Sequence, residues 1–207
     1  RPAPMARGKT RRGTLMGALL SNFRNTMIVS VILALIMVVA YAAGPQGTGP
    51  IFWEAVFRWL HVFFGILWIG LLYYFNFVQI PSMPKIPDEL KPAVGKHIAP
   101  AALFFFRWAA AATVLFGLLT AGANRYIVEA LTFQNGFVTI GIGMWLALVM
   151  AANVWFVIWP NQKKVLGIVT VDADAKKAAA RVAMLASRTN TMLSLPMLYC
   201  MVMQKMG

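Results

Sequence analysis

The chain has 207 residues, of which 60% are hydrophobic and only 12% charged, with a mean hydropathy of +0.69 and a formal net charge of +13. A water-soluble domain lies nearer half apolar and a quarter charged, so this composition excludes an ordinary globule in water and predicts an all-α integral membrane protein. The lone cysteine, Cys200, excludes within these residues any disulfide, any CxxC zinc knuckle and any CxxCH attachment of a c-type haem.

Residues 1–26, RPAPMARGKTRRGTLMGALLSNFRNT, read as a basic cytoplasmic arm. Its Arg7, Lys9, Arg11 and Arg12 are expected to contact anionic lipid or a partner subunit. A nucleic-acid reading needs a soluble basic domain with interleaved aromatics, and the sequence offers none. A membrane-crossing helix needs about 20 mostly apolar residues. Four stretches supply them, at about 27–44, 51–80, 98–122 and 136–159. The second is long enough to tilt. A fifth stretch, 191–207, is short and holds Pro196, so it is expected either to cross or to form a half-span. The prediction is a bundle of four to five transmembrane helices.

The connections are simple. GPQGTGP, Gly44 to Pro50, is an uncharged tight turn, and PSMPKIPDELKP, Pro81 to Pro92, is a proline-rich loop. VDADAKKAAARVAMLASR predicts a cytoplasmic helix over about 172–188. Asp172 or Asp174 can cap it, and its basic residues fall later, as the helix dipole prefers.

Charge gives an independent check on this segmentation. Of the nineteen Lys and Arg, fifteen fall before the first span, between the second and third, or after the fourth. These are the segments that four alternating spans place on one side. The positive-inside rule makes that side, and the N-terminus, cytoplasmic. The expected location is the bacterial inner membrane.

The second span carries Glu54, Arg58, His61, Asn76 and Gln79 within an apolar run. At about 100° per residue these five, with Gly65, Trp68 and Leu72, lie within about 40° of one line. The opposite face is Phe, Val, Ile, Leu and Tyr. Such a stripe is expected to face protein rather than lipid. Glu54 and Arg58 are spaced to pair. His61 is expected either to hydrogen-bond to a neighbouring helix or to ligate the metal of a tetrapyrrole, haem b or a (bacterio)chlorophyll. Gly65, one turn on, leaves room for a flat group or for a second helix. The other histidine, His97, begins the third span at the opposite end, so a bis-histidine haem from this chain alone is not expected. Arg107 in the third span either snorkels to the interface or pairs with a carboxylate or propionate. Thr139, Gly143, Ala147 and Ala151 form a small-residue packing row, and Asn153 is expected to bond between helices.

Four blocks, RWLHVFFGILWIGLLYYFNFVQIP, FFFRWAAAATVLFG, ANVWFVIWPNQKKVLG and ASRTNTMLSLPMLY, resemble in the same order the membrane domain of bacterial urate hydroxylases, the urate oxidase N-terminal family. The resemblance covers roughly Phe57 to Tyr199 and implies a helical membrane bundle. It also places Arg58, His61, Arg107, Trp108, Asn161 and Asn190 in shared motifs. Long members of that family carry a c-type cytochrome domain and are implicated in urate oxidation. With no CxxCH motif, this chain is expected to be a short member without that domain.

Two functions are then open. One is an accessory transmembrane subunit of a larger respiratory or photosynthetic complex, packing helices, lipid or pigment. The other is a haem-binding redox protein related to urate hydroxylase, passing electrons to a partner, with Arg58, His61, Gly65 and Arg107 at the cofactor and His61 as axial ligand. No nucleophile–base pair, carboxylate dyad or phosphate loop points to an enzyme. If the chain is one, the resemblance implies an oxidoreductase.

Overall fold

A computed structural model describes residues 15–45 and 47–203. The basic residues Arg7, Lys9, Arg11 and Arg12 lie outside them. The described residues form helices and turns with no strand, in two compact units, residues 1–52 and 53–207.

The first unit contains α1 (Leu15–Leu20) and α2 (Phe23–Ala42). Asn22 caps α2, its Oδ1 accepting from the backbone N–H of Arg24 at 3.0 Å. From Met27 onward α2 is apolar on every side, the pattern of a helix that meets no water laterally.

Five further helices follow: α3 (Pro50–Lys85), α4 (Lys91–Ala123), α5 (Ile127–Leu131), α6 (Val138–Val165) and α7 (Ala173–Met203). Helices α2, α3, α4 and α6 are long and apolar enough to cross a membrane. They correspond to the four spans expected from sequence, extended by a few residues. Helix α5 had no sequence signal of its own. The expected helix at 172–188 and the expected fifth span at 191–207 are joined in α7, a single helix that continues through Pro196. Asp172 caps it, accepting from the Ala175 N–H at 2.7 Å. Helix α6 ends at Gly167, whose φ of +76° lets the chain turn away at no steric cost.

Three of these helices are interrupted in the same way. Segments Tyr74–Gln79, Val94–Ile98 and Val154–Ile158 are π-helical. Each is followed, two residues on, by a proline: Pro81, Pro100 and Pro160. Proline has no N–H and its ring clashes with the carbonyl four residues back. The wider π turn moves that carbonyl aside. The residue before each proline therefore donates five residues back: Ile80 to Phe75, Ala99 to Val94, and Trp159 to Val154. Chain continuity is kept at the cost of a bulge.

The core of the second unit lies among α3, α4, α6 and α7. Trp68, Leu72, Ala110 and Met150 are wholly buried there, with Phe106 and Val154 nearly so. Aromatic contacts tie the helices: Phe64 stacks on Phe116 at 5.7 Å, and Trp108 meets Trp155 edge-on at 5.3 Å. Gly143, Ala147 and Ala151 of the expected small-residue row are buried. Across from them α7 buries Ala179, Ala183, Ser187, Asn190, Ser194, Met197 and Cys200, three or four residues apart. Small side chains on both sides let these helices approach closely. A Cβ on Gly143 would lie 3.0 Å from the Cys200 Cβ.

Gly143→Leu therefore has no room, whereas Gly70 has nothing within 4 Å of its absent Cβ. Thermal unfolding in detergent should show Gly143→Leu destabilised by about 1–3 kcal/mol, the usual cost of overpacking. Gly70→Ala should match the parent. Equal behaviour of the two would contradict this packing.

Candidate functional site

From His61 inward the polar stripe of α3 turns toward the other helices, as its angular clustering predicts, while Arg58 is exposed. At its start Arg58 forms a salt bridge with Glu54, one turn earlier. His61 comes next. Its Nδ1 lies 2.8 Å from the backbone carbonyl of Thr113 on α4. A carbonyl only accepts, so Nδ1 carries the proton, and in the neutral ring Nε2 is the basic nitrogen. The ring lies directly against Gly117, where a Cβ would fall 2.8 Å from both Cε1 and Nδ1. Gly65 faces α4 too, its Cβ position 3.8 Å from the Thr113 methyl. The room at Gly65 is thus occupied by a helix.

Deeper in the stripe, Trp68 and Leu72 are fully buried. Asn76 donates from Nδ2 to its own helix, at Leu72 O (2.9 Å), and to Ser187 Oγ of α7 (2.8 Å). Tyr73, one turn from Asn76, shares a 2.9 Å hydrogen bond with Ser194 Oγ of α7. Among the described residues three buried polar side-chain atoms have no partner: Trp68 Nε1, Asn76 Oδ1 and Gln79 Oε1.

A second polar cluster joins α6 to α7. Asn153 Nδ2 donates to Asn190 Oδ1 at 2.7 Å and to the Ala186 carbonyl at 2.9 Å. Asn190, with no exposed surface, returns a bond from Nδ2 to the Met150 carbonyl at 3.0 Å. The expected interhelical role of Asn153 is present, with Asn190 as its partner.

The other residues of the expected site are dispersed. Arg107 stacks its guanidinium 3.8 Å above the Trp159 ring and 5.5 Å from Phe104. This is a cation–π contact with α6, and among the described residues no carboxylate pairs with Arg107. Asn161 bonds within its own helix, to the Val157 carbonyl at 2.8 Å. Among the described residues no three of His, Cys, Asp or Glu converge as a metal cluster. His61 could therefore supply one ligand to a metal that a macrocycle already holds, and the described residues offer no protein-only metal cage. Thr113 and Gly117, which define the histidine's setting, were not singled out from sequence. The row Ala109, Thr113, Gly117, small residues four apart, was the available signal.

These features define a class, an all-helical protein with four helices long and apolar enough to span a membrane and with polar clamps between helices. The family model described as urate oxidase N-terminal matches residues 108–207. Over that stretch the chain is similar to the urate oxidase N-terminal family. Trp108, Asn161 and Asn190 fall inside the match, whereas Arg58, His61 and Arg107 precede it. No curated protein and no solved structure matches the chain.

The amide clamp can be tested directly. Asn190→Leu leaves the Met150 carbonyl and the Asn153 amide short of partners in a buried place. The expected loss is about 1–3 kcal/mol in thermal or denaturant unfolding. Combined with Asn153→Leu, the loss should be smaller than the sum of the two singles, because the partners are removed together. Additive losses would show that the two amides do not cooperate.

Proposed function

We propose that this chain is a multi-pass subunit of the bacterial inner membrane, with its N-terminus in the cytoplasm, that packs as an accessory component against larger membrane proteins. One observation carries the reading. The outward faces of α3, α4 and α6 in the second unit are large apolar side chains at mid-helix, such as Ile66 (70% exposed), Leu115 and Phe156 (79% exposed). An apolar surface this extensive is not maintained in water. Lipid or other apolar helices solvate it. The Lys residues gather at one set of helix ends, where they fix orientation and meet anionic headgroups. Arg7, Lys9, Arg11 and Arg12, which lie outside the described residues, are proposed to contact anionic lipid or an acidic neighbour. The absence from the sequence of a nucleophile–base pair or carboxylate dyad favours a packing role over turnover.

A second reading keeps a redox or pigment role, favoured by the geometry of His61. Donation from Nδ1 to the Thr113 carbonyl leaves Nε2 free of the proton, the state in which imidazole ligates a metal. Gly117 admits the ring and so sets its orientation. A bound haem b would supply one-electron chemistry, and a (bacterio)chlorophyll light absorption. Within this chain His61 would hold the metal and Thr113 would fix the tautomer. Arg107 is committed to Trp159.

Single cysteines at Thr48 and Lys177, in a Cys200→Ser background, test the topology. An impermeant thiol reagent should label them from opposite sides of the membrane, and same-side labelling would end the four-span reading. The chain should copurify with larger membrane proteins. A stable monomer that turns over urate unaided would overturn the accessory role. An absorption spectrum separates the second reading. His61→Ala should abolish a Soret or chlorophyll band if His61 is the ligand, while a pigment-free spectrum of the native chain removes that reading.

A further inference from the structure

The three π turns do more than accommodate prolines. Their residues Phe75 and Gln79, Val94 to Lys96, and Ile158 line one cavity of about 450 Å³. It lies where the end of α3, the start of α4, the end of α6 and the first turns of α7 meet. Its volume is that of a small-molecule site, about 300–1,000 Å³. Its apolar lining includes Phe75, Leu103, Phe106 and Ile158, and its polar lining Lys91, Lys96 and Lys176 with Gln79 and Gln162.

The charge is one-signed. No aspartate or glutamate lines the cavity. Asp88, outside it, bonds to Lys91, and that hydrogen bond and charge hold the Asp88 carboxyl below its ordinary value. Lys96 and Lys176 form no ion pair among the described residues. The cavity thus asks for two things in one ligand: an anionic group for the lysines and an apolar portion for the phenylalanines.

We propose that this cavity binds the headgroup of an anionic phosphoglyceride such as phosphatidylglycerol. The phosphate meets Lys96 and Lys176, and the first methylenes lie along Phe75 and Phe106. The volume holds the headgroup but not two acyl chains, which run outside into lipid. Basic pockets between helices at a cytoplasmic face suit such headgroups. The proposal rests on the reading that these helices lie in a membrane.

The test uses the full chain, purified in detergent and stripped of lipid. Phosphatidylglycerol should be retained in native mass spectrometry and should raise the unfolding temperature, and phosphatidylcholine should do neither. Lys96→Gln with Lys176→Gln should weaken phosphatidylglycerol binding about tenfold or more. Lys163→Gln with Lys177→Gln removes the same charge from residues that do not line the cavity and should leave binding unchanged. Lys96→Arg with Lys176→Arg should retain binding, which shows that loss in the glutamine pair is loss of charge and not of fold. Equal binding of phosphatidylcholine, or equal loss in the control pair, would overturn the proposal. Equal stabilisation by glycerol phosphate or inorganic phosphate would overturn the lipid and leave a free phosphate compound as the ligand. A chain that stays in solution without detergent would defeat the membrane reading as well. A membrane-embedded chain with no preference among lipids would defeat this proposal alone.

Discussion

The arrangement of the second unit depends on the hydrogen bonds that α7 makes from buried positions. In an apolar chain, one apolar face packs against another almost as well in several registers. Dispersion does not tell them apart by much. Amides and hydroxyls do, because each has a direction and a penalty for being left unmade. Asn190 accepts from Asn153 at 2.7 Å and donates to the Met150 carbonyl at 3.0 Å, which sets α7 against α6. Ser187 and Ser194 lie on the same run of buried positions and bond to Asn76 and Tyr73, which sets α7 against α3. A slip of one residue would leave several of these groups without partners at once.

Those bonds need close helices, and the small residues supply them. Gly143 on α6 lies against Cys200 of α7, and Ala147 and Ala151 are buried on the same row of α6. The same economy serves His61, whose ring fits because residue 117 is glycine and whose Nδ1 proton is accepted by the Thr113 carbonyl. Thr113 Oγ1 bonds back to the Ala109 carbonyl at 2.7 Å, within the same turn. Serine and threonine bonds of that kind bend helices slightly.

Composition and charge made the four long helices legible, because an apolar run of the right length has few other uses. The stripe on α3 was legible because the helical period is regular enough to sort eight residues onto one line. The continuity of α7 was not. Its basic first half and apolar second half suggest two environments, and Pro196 suggests a break. Helix continuity is decided by backbone hydrogen bonds rather than by the medium around the side chains, and Pro196, exposed, does not interrupt α7. The setting of His61 was hidden for a related reason. Its partner is a backbone carbonyl, which has no letter in the sequence. Arg107 carried a charge that pointed to an interface or a carboxylate, and the Trp159 face that receives it comes from 52 positions along the chain.

The prolines show how local covalent chemistry reaches a site. Each of Pro81, Pro100 and Pro160 withholds one N–H, and each helix responds with a π turn one step earlier. A single π turn is a local accommodation. Three of them at the same end of a four-helix core border a cavity of about 450 Å³. A core built only for stability would not gather Lys96 and Lys176 around such an opening, where among the described residues neither has an ion-pair partner. The lysines are therefore better explained by what enters the cavity than by what surrounds it.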